Sequence, residues 1–406
     1  MRLFDPLYAR DSKGKILSWI ASVTMDNNHA VITVHEGLLD GRQTPNLTIV
    51  KKGKNIGKMN ETTPFDQAIS QAESKWNKKR KQGYKSLKDL GISLLTDLDM
   101  KLPLNRTDEN GLSKPMKAQP YFKDNGDVRI KFPCYGQPKL NGFRVFGRLE
   151  KLMEGEGMFA SEVIKPTFRS KEGLRYTILE HIEPHVETLI NTLSSEIGIA
   201  PKDIVLDGEM YIHGEILSEI SSAVRTRKEK TKALRFCIFD IAVEGVLQDK
   251  RIDFLNIVHR IVTKENLNSI NNVETIIVTD NAHAQTLTDQ YIKEGYEGAI
   301  FRDRKAPYQF GKRPQTMVKL KRSQDKEFKI VDVVGGDATP ELGVFVCLAE
   351  NGKTFKCTPE GTVELKTEYL TNKAKYIGKK VTVRFFERTK EDLPFHAVAT
   401  TIRDYE

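Results

Sequence analysis

Lys139-Leu140-Asn141-Gly142-Phe143-Arg144 follows the strand-like run FPCYGQP and places a lysine, a turn-permitting glycine and an arginine within one short segment. A basic surface turn would read the same way, so the segment gains meaning only from what lies downstream. Asp207-Gly208-Glu209 interrupts the apolar run DIVLDGEMYI, and Phe236-Cys237-Ile238-Phe239-Asp240 lies in the run LRFCIFDIAV. Glu297-Gly298-Ala299-Ile300 repeats the order carboxylate then glycine, and Val318-Lys319-Leu320-Lys321 puts two lysines on one face of a strand. Singly, Phe239 reads as core, Glu209 as a cap or ion-pair partner, and Lys319 and Lys321 as exposed strand residues.

In this order and at this spacing the segments resemble the motif set of the covalent nucleotidyltransferases: ATP-dependent DNA ligases, RNA ligases and mRNA capping enzymes. The resemblance spans about residues 115–322. Lys114-Pro115-Met116-Lys117-Ala118 is similar to the entry segment of DNA ligase catalytic domains, and Tyr308–Arg313 (YQFGKR) to the loop before their last lysine motif. The layout as a whole most resembles the compact ligases of large DNA viruses and phages.

The resemblance implies an α+β, multidomain chain. A small α/β N-terminal DNA-binding domain (1–100) and a linker (101–116) precede an adenylation (nucleotidyltransferase) domain of ATP-grasp-like two-sheet type (117–322) and a C-terminal OB-fold β-barrel (323–406). It makes Lys139 the residue that takes AMP from ATP. Lys319 and Lys321 are expected at the α-phosphate, Glu209 at a ribose hydroxyl, Phe239 on the adenine face and Gln137 at its edge. Arg144 is expected at the ribose and the 5′-phosphate of a nick, and Glu297 beside a divalent metal, magnesium or manganese. Two positions depart from the family pattern: Asn141 stands where KxDG has aspartate, keeping an acceptor but losing the charge, and Met317 stands where tryptophan is frequent. Arg403-Asp404 resembles the last barrel motif, in which a basic residue meets the pyrophosphate of ATP when the barrel closes.

Physical chemistry points the same way. A lysine amine is nucleophilic only when deprotonated, and partial burial together with Arg144, Lys319 and Lys321 disfavours its charged form. Phosphoryl transfer needs positioning and charge neutralisation, which lysines and a divalent cation supply.

The flanks read differently. Behind Thr62-Thr63-Pro64, the residues Phe65, Ile69, Ala72 and Trp76 fall at helical spacing. The amphipathic helix they predict packs on strands within 16–50 and ends in KWNKKRKQGYKSLKD (75–89), seven basic residues against one acidic. Beside Trp76 and Tyr84, the residues Lys75, Lys78, Lys79, Arg80 and Lys81 are expected to meet a phosphate backbone. The first hundred residues resemble the WGR-type modules found beside DNA-repair enzymes, with Lys51-Lys52-Gly53-Lys54 near the place of the missing Trp-Gly-Arg. After Lys321, short alternating strands with an Asn351-Gly352 hairpin turn and one helix-like insert suit a small barrel.

The net charge of +9 over 406 residues favours a polyanionic partner, and nicked duplex DNA is the one the resemblance implies. No apolar run approaches the roughly 18 residues of a membrane helix, and the N-terminus has no signal-peptide core. An intracellular monomer is expected, in the cytoplasm or wherever DNA is replicated, with a viral or phage origin. Cys134, Cys237, Cys347 and Cys357 have no metal-ligand spacing and read as buried hydrophobes in a reducing compartment. The rival readings are an RNA ligase, an mRNA guanylyltransferase with the same lysine chemistry, and an inert nucleic-acid-binding relative.

Overall fold

Thr63 begins the helix Pro64–Lys81 with a capping box: its hydroxyl accepts from Asp66 N, and the Asp66 carboxylate accepts from the Thr63 backbone. Such a cap is worth about 1 kcal/mol. The helix turns Ala68 and Ala72 inward, with Phe65, Ile69 and Trp76 beside them, onto a core of Leu7, Trp19, Val23 and Ile32. That core lines an antiparallel sheet built on the meander Ile16–Asp26, His29–Leu38 and Gln43–Val50. The expected helix and its stripe are thus found on the expected strands. The computed structural model describes residues 1–11, 14–102, 112–155, 161–337 and 339–403.

Most of the expected linker lies outside the described residues. Its end does not behave as a linker: Lys114 and Met116 are buried, Gly311 N donates to Lys114 O, and Lys117 N donates to Lys312 O. This segment is packed into the next unit.

That unit contains two sheets. One runs in the order Arg175–Tyr176, Ser161–Ser170, Phe143–Glu154, Leu206–Tyr211, Arg235–Ile241, Ile270–Asn272. Helices Glu183–Ile197 and Gln248–Lys264 cover it through Val186, Leu189, Leu193, Phe254 and Val258. The other runs Ile276–Val278, Cys134–Lys139, Gly298–Asp303, Met317–Lys321, Gln119–Pro120, with helix Asn281–Lys293 packed on it. The strand-like run FPCYGQP enters its strand only part-way along. Val128 makes only an isolated bridge to Phe122 and the strand begins at Cys134, after Pro133, which has no N–H for a ladder.

The last unit closes on itself. Strand Gln324–Gly335 pairs with Gly343–Leu348 and Lys380–Phe385. Thr354–Pro359 joins Gly343–Leu348 to Val398–Arg403, which pairs back with Lys380–Phe385. The interior holds Phe328, Ile330, Phe345, Phe355, Val381 and Phe385. Asn351-Gly352 makes the expected turn, with Gly352 at φ +78°. A two-stranded hairpin, Glu387–Arg388 with Pro394–Phe395, projects from the barrel.

Candidate active site

Strand register builds the site. Cys134–Lys139, Gly298–Asp303 and Met317–Lys321 lie side by side, antiparallel, so that Lys139, Gly298 and Lys321 form one row and Gln137, Ile300 and Lys319 the next. Tyr135, Arg302 and Met317 form a third row. Alternation along the strands turns Gln137, Lys139, Ile300, Arg302, Met317 and Lys319 into one cleft of about 340 Å³. Arg144, Glu209 and Phe239, from the other sheet, complete it, with Pro115, Lys117, Lys171 and Arg313 among the remaining lining residues. The volume falls within the range of small-ligand sites.

Gly298 explains how two lysines come so close. It takes φ +149°, and a Cβ there would lie 2.2 Å from Leu320 O. With nothing between them, Lys139 and Lys321 both reach the carboxylate of Glu297. The chain is held there by Glu297 N, which donates to Lys139 O at 3.0 Å. Gly142 is the second necessary glycine: a Cβ would meet Met210 O at 2.5 Å and Glu209 Cγ at 2.8 Å. The turn after Lys139 therefore sits directly against the strand carrying Glu209.

The charges act on one another. Burial lowers the Lys139 amine, Glu209 and Glu387 oppose the shift, and Arg144 adds to it. Burial also lowers Lys319 and Lys321, each further depressed by the neighbouring Lys139. Glu209 is pushed up to about 7 by burial, against the pull of Lys139 and Arg144. Arg144 is gripped in a fork by Asp207, at 2.9 Å to Oδ1 and 2.6 Å to Oδ2. Burial works against the Arg144 charge, but the ion pair prevails and raises it. Tyr308 OH donates to the same Asp207 at 2.7 Å, tying the YQFGKR loop beneath the cleft.

Seven of the sequence-derived residues line or border one cleft: Lys139, Gln137, Arg144, Glu209, Phe239, Lys319 and, through its contact with Lys139, Glu297. Lys321 joins them through Glu297. Gln137 plays a more internal part than expected. It is 1% exposed, donates to Phe239 O and Thr275 Oγ1, and accepts from Arg302 Nε at 2.9 Å, because a buried amide must find partners. Asn141 does not face the cleft: its amide donates to Glu387 Oε2 of the barrel hairpin at 2.9 Å. Arg403 is not brought to the site. It bonds Thr382 Oγ1 at 2.8 Å and pairs in register with Lys380, at the end of its strand remote from the hairpin that faces Lys139. Asp404 lies outside the described residues.

The basic helix is also more self-contained than expected. Lys75 bonds Thr48 Oγ1, Lys79 pairs with Glu36, and Arg80 pairs with Asp89 while lying over the Trp76 ring. Lys78 and Lys81 are exposed.

The sequence reading missed a buried scaffold. Asp240 takes Arg251 Nε and Arg302 Nη1, both at 2.8 Å, and Arg302 reaches on to Gln137. Arg302 could have been found from alternation, two residues after Ile300 on the cleft face. Lys117 and Arg313, on the rim, stand inside motif segments already recognised.

For a divalent cation, the described residues include no cluster of three acidic, histidine or cysteine ligands. Glu297 pairs with both lysines and Glu209 lines the same cleft, and so few carboxylates fit a magnesium-type ion completed by substrate phosphates rather than a protein cage.

The family model for the ATP dependent DNA ligase domain matches residues 115–321, which include every cleft residue. The chain belongs to the ATP-dependent DNA ligases. A DNA ligase of African swine fever virus (isolate Pig/Kenya/KEN-50/1950) is 28% identical over 440 residues, covering 99% of this chain and 94% of its own. The DNA ligase of Enterobacteria phage T4 is 22% identical over 313 residues, covering 65% of this chain and 62% of its own. In fold, a solved Lig E DNA ligase is similar with a TM-score of 0.52 at 19% identity, covering 72% of this ligase and all of that chain. Among the described residues, no helix of the ligase is long and apolar enough to cross a membrane.

Proposed function

We propose that this ligase seals nicks bearing a 3′-hydroxyl and a 5′-phosphate in duplex DNA, in replication, repair or recombination, through AMP carried on Lys139. The row Lys139, Gly298, Lys321, with Glu297 beneath it, is the observation that carries this reading. In the first step Lys139 Nζ attacks the α-phosphorus of ATP. A P–N bond forms, the bond to the bridging oxygen breaks, and pyrophosphate leaves. In the second a 5′-phosphate oxygen of the nick displaces the lysine. In the third the 3′-hydroxyl attacks that phosphate and AMP departs.

The residues divide the work. Burial favours the free amine of Lys139, while the carboxylate of Glu297 holds its proton until that carboxylate is engaged elsewhere. Lys319 and Lys321 face the α-phosphate, Phe239 offers a ring for the adenine, and Glu209 accepts from the ribose. Glu297, with the nucleotide phosphates, would hold a magnesium ion that neutralises the leaving pyrophosphate. Arg144, with Nε and Nη2 held by Asp207, presents Nη1 at a fixed position toward sugar and phosphate. The closed five-stranded barrel we assign as an OB-fold. It must rotate to bring Arg403 to the pyrophosphate, and it then grips duplex DNA. The N-terminal unit lengthens that grip through Lys78 and Lys81, and the working form is a monomer.

The test is labelling with α-labelled ATP or GTP and magnesium, followed by a chase with nicked duplex. Covalent label from ATP is expected, labile to acid and stable to alkali as a P–N bond requires, reduced at least about 1,000-fold in Lys139→Ala, and discharged with sealing by nicked DNA. Label from GTP would overturn the reading in favour of capping, discharge by nicked RNA alone in favour of an RNA ligase, and no label in favour of a binding protein.

A further inference from the structure

Asn141 departs from the family's aspartate, and the structure gives the departure a partner 246 residues away. Its Nδ2 donates to Glu387 Oε2 at 2.9 Å. Glu387 lies on the hairpin that projects from the barrel, and this hairpin meets the catalytic unit elsewhere as well. The Lys321 ammonium lies over the Phe386 ring, 5.2 Å from its centroid, and Lys390 pairs with Glu219 at 3.3 Å. The hairpin is braced from behind: Asn351 Nδ2 donates to Glu391 O at 2.7 Å and Lys353 pairs with the Glu391 side chain at 2.9 Å. The contact is thus made by a supported element.

The chemistry of the pair is directional. An amide has two donors and satisfies a carboxylate, whereas an ionised aspartate has none. Aspartate at 141 would set two carboxylates within hydrogen-bonding distance beside Lys139, a like-charge contact that opposes docking. Asn141 and Glu387 therefore make sense only together.

We propose that Glu387 and Asn141 are a matched interdomain pair through which the barrel docks on the turn after Lys139 and positions the AMP carried there for transfer to the nick, the step in which the barrel grips DNA. Glu387 is a positioning residue, acting through Asn141. The proposal rests on the reading of Lys139 as the AMP carrier, and the experiment separates the two.

The experiment uses the full chain as wild type, Asn141→Asp, Glu387→Gln and the double variant. Two readouts are taken: the rate and apparent KM for nicked duplex of AMP discharge from the pre-labelled ligase, and the barrel-to-catalytic-unit distance without ATP. The distance is measured between spin labels at Lys202→Cys and Thr367→Cys, both exposed, while all four native cysteines are buried. Asn141→Asp is expected to lengthen or broaden the distance and to slow discharge at saturating nicked duplex about tenfold, the ordinary size of a coupling between contacting residues. Glu387→Gln, which keeps an acceptor for Asn141, is expected within about threefold of wild type. In the double variant glutamine donates to aspartate, the bond reverses, and both the distance and the rate return toward wild type. A double variant no better than Asn141→Asp, an unchanged distance in Asn141→Asp, or faster discharge in Asn141→Asp would each overturn the pair. Absence of label in the wild type would instead overturn the lysine reading, and the distances would still report on the pair.

Discussion

The floor of the cleft and the basic helix of the N-terminal unit are both rich in cations, and they hold them in opposite ways. In the floor, Arg251 and Arg302 are almost fully buried and share one carboxylate, Asp240, while Lys139 and Lys321 share Glu297. On the helix Pro64–Lys81, Lys79 and Arg80 pair near the surface with Glu36 and Asp89, and Lys78 and Lys81 face solvent. Removing a partner from a buried pair leaves a charge that water cannot reach, whereas a surface pair contributes little. Precision belongs to the floor, and long-range attraction of a polyanion belongs to the helix.

Asp240→Ala presses that contrast hardest. It leaves two buried guanidinium groups without their carboxylate, and a loss of about 3–5 kcal/mol is expected in urea unfolding followed through the catalytic unit. A loss below that of a surface pair would erase the distinction. Gly298→Ala comes next, at about 1–3 kcal/mol from its backbone conformation alone, together with loss of AMP labelling as the Lys139 and Lys321 strands separate. Labelling unchanged in this variant would mean that the close row of lysines is dispensable.

Asp249 sharpens the comparison through pH. Burial works to raise its carboxyl, but hydrogen bonds from Lys305, Arg304 and Tyr135 bring it down to about 2. A carboxylate depressed in the folded state contributes stability in full above the ordinary aspartate range, near pH 4, and loses it as pH falls toward 2. Asp249 is partly open to solvent, so Asp249→Asn should cost about 1 kcal/mol at pH 7 and flatten the acid limb of the stability curve. The smallest effect on stability belongs to the helix. Arg80→Ala should change it by less than about 1 kcal/mol, while the pair Lys78→Glu and Lys81→Glu should weaken nicked-DNA binding and lower its salt slope without slowing AMP labelling. Equal loss of labelling would place the helix in the chemistry instead.

Much of this was legible in the sequence, and the reasons are physical. Lys139, Glu209, Phe239, Glu297, Lys319 and Lys321 stand in short segments where strand alternation fixes which side chains share a face, so local order already predicts convergence. The capping box and the Asn351-Gly352 turn are equally local. What escaped depends on contacts distant in sequence. Asp240 finds Arg302 62 residues away, Tyr308 finds Asp207 101 residues away, and Asn141 finds Glu387 across the whole catalytic unit. Nothing in KLNGFR shows that its asparagine faces a barrel. Arg403 shows the converse: a residue singled out from a short pattern stands away from the cleft, because the barrel presents its hairpin there.

The most direct test of the account is to find where AMP is attached. The purified ligase, incubated with ATP and magnesium and digested under conditions that spare the phosphoramidate, should yield one peptide heavier by one AMP, with fragmentation placing it on Lys139. AMP on Lys319 or Lys321, or on no lysine of the cleft, would contradict the assignment of nucleophile and phosphate-binding lysines on which the mechanism stands.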